Sequence, residues 1–243
     1  MVKERIDILL TRSGLAPSRE KARVLIMAGE VYANGQRVLK ADTKMDESTT
    51  LEVKGDPIPF VSFGGVKLKA ALQAFHCDIH TKTALDIGSS TGGFTDCLLK
   101  EGARKVYAFD SGTHQLHEKL RHDERIVLRE NFNARYITLE DTGEMVDIIT
   151  IDVSFISLKK ILPAASSLLK KGGHIISLVK PQFEVGRYNV GKGGIVKDAG
   201  HIAGVLNDIR DFGIILGLKP LETIEAPREK ERKNREYFIL WEK

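Results

Sequence analysis

The sequence predicts an α/β protein in which a mostly parallel, doubly wound sheet is preceded by a small α+β module. From about residue 61 onward, short apolar strands alternate with helical segments, which is typical of a parallel sheet covered by helices. A glycine-rich turn at 88–93 joins the first of these strands to a helix. Before this region, Pro57 and Pro59 stiffen the chain and forbid a helix. We therefore predict a first domain over 1–55, a linker over 56–62 and a second domain over 63–243.

Composition limits the classes of protein to which the chain can belong. Its 243 residues are enough for a small domain plus a medium one, and 42% of them are hydrophobic. A net charge of +4 permits a polyanionic partner without demanding one. Cys77 and Cys97 lie outside any zinc-type spacing, so we expect buried thiols in a reducing compartment and no metal site. Without a signal core or a run of about 20 apolar residues, we expect a cytoplasmic protein that does not insert into membranes.

Each element of the first domain has a local signal. Apolar residues over 6–10 have helical spacing, and Ser18 is a good N-cap for a second helix that Gly29 would end. Asn34-Gly35 between two short runs predicts a type I′ hairpin, and 49–53 alternates as a strand. The first domain is therefore predicted to hold two short helices and a small sheet.

The second domain is predicted to hold seven strands and at least two amphipathic helices. The strands are 83–87, 105–109, 126–128, 146–151, 175–179, 218–226 and 237–241, and the helices are 67–75 and 94–99. Asp110, Asp152 and Lys180 each follow one of these strands directly. Because the carboxyl ends of neighbouring parallel strands open onto one crevice, we expect Asp152 and Lys180 to come together there.

The sharpest motif is the run LDIGSSTGGF at 85–94, which reads as a strand, a glycine-rich turn and a helix. Glycines let the backbone approach a ligand closely, and the start of the helix offers free N–H groups. The run differs from the GxGxxG of dinucleotide-binding proteins and resembles the first motif of methyltransferases, whose ligand is S-adenosylmethionine. A tight turn without a ligand is the alternative. The residues assigned to the cofactor by this resemblance are Asp86, Gly88, Ser89, Ser90, Thr91, Gly92, Gly93 and Phe94.

Further cofactor contacts are expected after the following strands. Asp110 lies about 20 residues beyond the turn, where an acidic side chain accepts the two ribose hydroxyls in this type of fold. Asn131 and Phe132 follow the third strand, where the edge and face of an adenine usually lie. A strand-end cap is the alternative for Asp110, and a turn with ordinary packing is the alternative for the Asn-Phe pair.

Asp152 and Lys180 are expected side by side, next to the methyl donor, which Asp152 would also contact. A lysine near a ribose hydroxyl can stabilise developing alkoxide charge. A structural ion pair at the edge of the sheet is the alternative.

The second domain resembles the FtsJ/RrmJ superfamily of 2′-O-ribose methyltransferases, which have a Rossmann-like fold. The motifs that carry this resemblance are SFGGVKL at 62–68, IDVSF at 151–155, VKPQFE at 179–184 and NREY at 234–237. The resemblance implies a catalytic tetrad of Lys67, Asp152, Lys180 and Glu236 that needs no metal. In it, Lys180, steered by Asp152 and Glu236, holds and helps to deprotonate a ribose 2′-hydroxyl, while Lys67 orients the ribose or a neighbouring phosphate.

The first domain resembles the alpha-L RNA-binding domain, also called the S4 domain, through Arg5-Ile6-Asp7, Ser18 to Ala22 and Asn34-Gly35. Together the two domains resemble the TlyA family of rRNA 2′-O-methyltransferases, which are also labelled hemolysins. The resemblance implies structured RNA, in the form of rRNA or ribosomal subunits, as the partner rather than DNA. The residues expected to bind RNA are Arg5, Arg12, Ser18, Arg19, Lys21 and Arg23. A solvated helix face is the alternative for these charges.

Two departures from the family pattern stand near the tetrad. Phe63 replaces an arginine before Lys67, and Lys69 is a possible substitute for that lysine. The segment 228–234 replaces a glycine-containing loop before Glu236, so we expect the geometry of that loop to differ from the family pattern. Its basic run is either a second RNA contact or a solvated loop.

Three other functions remain open at this point. A membrane-active hemolysin is disfavoured because no spanning segment or long amphipathic stripe is present. A non-catalytic RNA-binding or ribosome-binding protein that retains a donor pocket is kept open by the altered loop. A small-molecule or base methyltransferase is disfavoured because Asp152-Val153-Ser154-Phe155 lacks the two prolines of the base-methylating motif.

Overall fold

A computed structural model describes residues 3–27, 30–54, 59–186, 189–191, 193–229 and 233–243. The chain divides into two compact units, Met1–Pro57 and Ile58–Lys243. The helix end expected at Gly29 and the linker residues 56–58 lie outside the described residues.

The described residues of the first unit form two helices and five short strands. They are β1 Lys3–Arg5, α1 Ile6–Arg12, α2 Arg19–Met27, β2 Val31–Ala33, β3 Gln36–Arg37, β4 Lys44–Asp46 and β5 Leu51–Val53. The predicted hairpin is confirmed, since β2 pairs with β3 and both Asn34 and Gly35 have positive φ. The predicted cap is also confirmed, because the Lys21 N–H donates to Ser18 Oγ at 3.2 Å. The pairing of β1 with β4 was not predicted, since these charged three-residue strands carry no apolar alternation.

The second unit is built around one seven-stranded sheet. Its elements are α3 Phe63–Ala74, β6 Thr83–Ile87, α4 Gly93–Lys100, β7 Lys105–Phe109, α5 Glu118–Arg121, β8 Ile126–Arg129, α6 Leu139–Thr142, β9 Val146–Ile151, α7 Leu162–Leu168, β10 Leu169–Val179, α8 Ala199–Ile215, β11 Lys219–Glu225 and β12 Tyr237–Glu242. The strand order is β11-β12-β10-β9-β6-β7-β8. All described pairings are parallel except those of β12, which is antiparallel to both of its neighbours. The predicted fold class is therefore confirmed.

Helices cover both faces of this sheet because successive strand residues point to opposite sides. Ala84 and Ile148 pack in one hydrophobic cluster with Leu68 of α3 and Leu98 of α4. The residues that follow these two strand positions, Leu85 and Ile149, pack in a second cluster with α7 and α8. The near-continuous apolar runs of β6 and β9 thus reflect burial on both faces.

Two elements differ from their predicted form. Strand β10 begins six residues earlier than expected, through a polar, glycine-containing stretch whose register shifts between Leu169 and His174. Helix α8, which was not predicted, begins at an Asp198 cap and buries Ile202, Val205 and Ile209. An N-cap followed by apolar residues at intervals of three and four is a signal that could have found it.

The topology brings the carboxyl ends of five parallel strands, β6 to β10, to one edge. β6 and β9 are neighbours in the sheet, but the strand that follows β6 lies on one side of this pair and the strand that follows β9 lies on the other. At the ends of the two strands, the Asp152 N–H donates to Ile87 O at 2.9 Å. Such a switch point leaves a crevice at the strand ends, where ligands of this fold class bind.

Candidate active site

Two adjoining cavities open at this edge of the sheet. They measure about 350 and 370 Å³, which is within the roughly 300–1,000 Å³ typical of small-molecule sites. Gly88, Ser90 and Asp152 line both of them. We call the one that also contains Lys67 and Glu236 the first cavity, and the one that contains Asp110 and Phe132 the second cavity.

The glycines of the turn make room for other parts of the protein. A Cβ on Gly88, whose φ is +86°, would lie 2.4 Å from the Asp152 carbonyl oxygen. A Cβ on Gly93 would lie 2.2 Å from Ser62 Oγ, at the start of α3. Their absent side chains therefore let β9 and α3 close onto the turn, whereas the sequence suggested close approach of a ligand.

Asp86 lies beneath the turn and lines neither cavity. Its carboxylate is fully buried and accepts hydrogen bonds from Thr95 Oγ1 at 2.7 Å and Thr150 Oγ1 at 2.9 Å. Burial raises the pKa of Asp86 to about 7, and these two hydroxyls oppose that rise. The side chain thus ties β6 to α4 and β9, and its predicted contact with a ligand has no direct path in this arrangement.

Ser89 lines the first cavity and carries a buried hydroxyl without a partner among the described residues. A buried hydroxyl left unpaired costs about 1–3 kcal/mol, so a polar ligand atom at this point would be stabilising. Among the other predicted cofactor residues, Thr91, Gly93 and Phe94 also line the first cavity.

Asp110 and Phe132 form part of the wall of the second cavity. The Asp110 carboxylate accepts the Ser90 N–H at 2.8 Å and the Gly112 N–H at 2.6 Å, so it does cap the turn. Its oxygens retain lone pairs for further donors, because an ionised carboxylate has about four acceptor positions. Asn131 lines neither cavity, and Asn133, which was not predicted, lies on the wall instead.

The four expected catalytic residues form two ion pairs. Lys180 Nζ lies 2.6 Å from Asp152 Oδ1 and donates to Ser154 Oγ at 2.8 Å. Lys67 Nζ lies 2.5 Å from Glu236 Oε2, so Glu236 contacts Lys67 rather than Lys180, which it was expected to steer. All four side chains are largely buried. Ser154 was not predicted, and its position two residues after Asp152 was the available signal.

The altered loop before Glu236 is fixed at both ends. The Ala226 N–H donates to Glu236 O at 2.8 Å, and β12 begins at the next residue. Asn234 accepts the Val196 N–H and donates to Gly194 O, both at 2.8 Å. Residues 230–232 lie outside the described residues. Glu236 is therefore located by the hairpin of β11 and β12 and by Asn234.

Lys69, the possible substitute for Lys67, points elsewhere. Its Nζ donates to both carboxylate oxygens of Glu101 at 2.7 Å. Lys67 lines the first cavity and Lys69 does not. The geometry therefore favours Lys67 as the lysine of the site.

Phe155 is a further wall residue that was not predicted. It lines the second cavity, its side chain is 90% exposed, and its φ of +64° is unusual for an aromatic residue. Its ring centroid lies 4.9 Å from that of Phe183, which follows Lys180 by three residues in the sequence. An exposed aromatic face thus stands at the rim of the site.

The residues expected to bind RNA lie in the first unit. Arg5, Arg19 and Arg23 all contact the buried carboxylate of Asp7. Arg12 pairs with Glu47 at 2.8 Å on the surface. Charge counting detected these arginines, and it missed the carboxylate that three of them share.

Within the described ranges, no group of three or more His, Cys, Asp or Glu is placed to hold a metal ion. None of the helices in the same ranges is long and apolar enough to cross a bilayer. Cys97 is buried and Cys77 is half-buried, and both are free thiols.

Each of the two units matches a known protein family. Residues 60–243 match the FtsJ-like methyltransferase family, and residues 4–51 match the S4 domain. The first match covers most of the second unit, including all of the expected catalytic residues.

Similar proteins extend over nearly the whole chain. The 16S/23S rRNA (cytidine-2′-O)-methyltransferase TlyA of Mycobacterium tuberculosis is 41% identical over 240 residues, which cover 98% of this chain and 89% of that protein. Hemolysin A of Brachyspira hyodysenteriae is 42% identical and covers 96% of this chain and 98% of its own. A solved structure of a proposed hemolysin from Streptococcus thermophilus has a TM-score of 0.78 at 42% identity, covering 100% of this chain and 89% of that one. The chain therefore belongs to the TlyA family, in which an S4 domain precedes an FtsJ-like methyltransferase domain.

Proposed function

We propose that this protein transfers a methyl group from S-adenosylmethionine to the ribose 2′-hydroxyl of a nucleotide in ribosomal RNA. The observation that carries this proposal is the Lys180–Asp152 ion pair, in which Asp152 lines both cavities and holds Lys180 next to them. The printed name of the Mycobacterium tuberculosis relative describes this reaction on cytidine, which supports the proposal.

The second cavity has the chemistry of a nucleoside site. Asp110 offers carboxylate lone pairs to ribose hydroxyls, and Phe132 offers a ring for an adenine face. In the first cavity, the unpaired Ser89 Oγ and the N–H groups at the start of α4 suit the polar end of an amino acid. When bound, S-adenosylmethionine supplies a methyl group on a cationic sulfur.

Lys180 is arranged to hold the acceptor oxygen. An ammonium group has three N–H donors; Lys180 gives one to Ser154, and its ion pair with Asp152 fixes the position of the charge. A remaining donor is available to the 2′-oxygen, where the fixed positive charge stabilises the negative charge that develops as the hydroxyl proton passes to solvent. Positioning of donor and acceptor then contributes most of the rate.

The Lys67–Glu236 pair, which also lines the first cavity, has a separate role. Its cation suits a ribose oxygen or a backbone phosphate of the RNA, and Glu236 fixes where that cation stands. The first unit supplies affinity for structured rRNA or ribosomal subunits through its arginines.

The test is transfer of a tritiated methyl group to 16S and 23S rRNA and to intact ribosomal subunits. Lys180→Ala is expected to lower the rate by at least about 10²-fold while binding of S-adenosylhomocysteine is retained. The matched control is Lys170→Ala, which removes a lysine paired with Asp147 at the other end of β10. Mass mapping of the product identifies the position of the methyl group. An undiminished rate in Lys180→Ala, or a methyl group on a base, contradicts the proposal.

A further inference from the structure

The first unit contains a carboxylate that is surrounded by three guanidinium groups. Asp7 Oδ1 accepts from Arg5 Nε at 2.9 Å, and Asp7 Oδ2 accepts from Arg5 Nη2 at 3.1 Å. The same Oδ2 also accepts from Arg19 Nη2 at 3.3 Å and from Arg23 Nε at 3.2 Å. One carboxylate therefore serves as the shared anchor of arginines that come from two separate segments.

The charges of this cluster are unequally exposed. The Asp7 side chain is 0% exposed, whereas those of Arg5, Arg19 and Arg23 are 34%, 52% and 52% exposed. The negative charge is hidden while the positive charges face solvent. Each guanidinium has five N–H donors, so each keeps donors that Asp7 does not use.

The positions of the arginines depend on Asp7. Arg5 precedes α1, while Arg19 and Arg23 lie one turn apart on α2. Without an anion between them, three guanidinium charges at this distance repel one another and take separate rotamers. Arg19 and Arg23 are more exposed than Arg5, so they present most of the positive charge to solvent.

We infer that Asp7 is a positioning residue for RNA binding, which holds Arg5, Arg19 and Arg23 together as one receptor for phosphates of the RNA backbone. Guanidinium groups bind phosphate through paired N–H donors, so their relative orientation affects affinity as well as their charge. This inference rests on the proposed function only in requiring that the chain binds RNA. It goes further because it assigns a role in RNA binding to an acidic residue, whose negative charge by itself would repel the RNA backbone.

On charge alone, removal of an acidic residue should strengthen RNA binding, whereas the inference requires removal of Asp7 to weaken it. This opposite direction of the expected change makes the inference testable in the full-length protein. Asp7→Asn and Glu20→Gln each remove one negative charge from the first unit, and Glu20 has an exposed side chain on α2. The probe is protein-free 23S rRNA transcribed in vitro, and the readout is Kd by filter binding across a salt series. We expect Asp7→Asn to weaken binding by about fivefold or more and to lower the salt slope, with Glu20→Gln equal to or tighter than the wild type.

A second variant covers the case in which Asp7→Asn unfolds the first unit, which amide hydrogen exchange in α1 and α2 would reveal. Arg19→Lys/Arg23→Lys retains both charges and the ion pairs with Asp7 but loses the planar donor sets. We expect it to weaken RNA binding by about threefold or more with exchange protection unchanged. Binding as tight as the wild type in the double lysine variant, or in a folded Asp7→Asn, overturns the inference.

The outcome is separable from that of the proposed function. Methyl transfer by the wild type tests the proposed function, and RNA affinity of the variants tests the receptor. If the wild type binds RNA without methylating it, the proposed function is refuted and the inferred receptor is not. If the wild type methylates RNA while every variant binds RNA as tightly as the wild type, only the inferred receptor is refuted.

Discussion

Glu236 Oε2 lies 2.5 Å from Lys67 Nζ, although the two residues are 169 positions apart in the chain. Glu236 stands just before β12, and Lys67 lies in the second turn of α3. Both side chains are more than four-fifths buried, so neither charge can be removed without leaving the other unpaired. The pair is therefore expected to act as a unit in catalysis.

Glu236→Gln is expected to lower kcat/KM for methyl transfer by about 10²-fold, because Lys67 loses the anion that fixes its position. Lys67→Met should have a similar effect, and the double variant should cost much less than the product of the two. Steady-state kinetics on rRNA measure all three. Lys69→Met is the control, since Lys69 pairs with Glu101 outside the cavities, and it should change the rate by no more than about twofold. Independent, multiplicative losses would contradict a coupled pair.

Gly88 provides a test of how closely β6 and β9 must approach. Gly88→Ala places a Cβ 2.4 Å from the Asp152 carbonyl oxygen and also imposes strain at a φ of +86°. We expect a loss of about 3 kcal/mol in the free energy of unfolding and loss of methyl transfer, because Asp152 and Lys180 are displaced together. Gly143→Ala is the matched control, since Gly143 has a φ of +70° and no described atom lies within 4 Å of the position that a Cβ would take. It should cost only about 1–2 kcal/mol, and urea denaturation of both variants separates the collision from the strain. Equal losses in the two variants would show that contact with β9 is unimportant.

The strand-end residues illustrate what local sequence can predict. Asp110, Asp152 and Lys180 each follow an apolar run that is buried on both faces, and such runs end where the sheet ends. Once a parallel sheet is predicted, the meeting of its carboxyl ends follows from topology. The fold class and one of the two ion pairs were therefore accessible from the sequence.

The partner of Glu236 was not accessible in the same way. It depends on the register of β12 against β10 and β11, and on the angle at which α3 approaches the sheet. Neither is encoded by residues adjacent to Glu236. The Asp7 cluster was missed for a related reason, because charge counting treats an acidic residue as a subtraction and cannot show that three arginines share it.

The Asp7 cluster is expected to make the first unit sensitive to acid. Hydrogen bonds from Arg5, and then from Arg19 and Arg23, lower the pKa of Asp7 from 3.8 to about 2, against the opposing effect of burial. A carboxyl whose pKa is lower in the folded state contributes stability above its unfolded pKa, and that stability is lost as pH falls through the folded value. The protection factors of the amides in α1 and α2, which compare each exchange rate with the intrinsic rate at the same pH, should therefore fall as the pH is lowered from about 4 to about 2. In Asp7→Asn this pH-dependent component should be absent, and an unchanged acid transition would exclude Asp7 as its source.

Asp86 is expected to give a pH dependence of opposite sign. Burial raises its folded pKa from 3.8 to about 7, so between these values the folded state binds a proton that the unfolded state has released. Stability attributable to this group therefore falls as pH rises from about 4 to about 7, and the cost is constant above that range. Asp86→Asn keeps the size of the side chain and can still pair with Thr95 and Thr150. We expect urea unfolding of the wild type to lose stability between pH 5 and pH 8 relative to Asp86→Asn, which should be at least as stable at pH 8. Parallel pH profiles for the two proteins would mean that Asp86 is ionised in the folded state throughout this range, with Thr95 and Thr150 outweighing its burial.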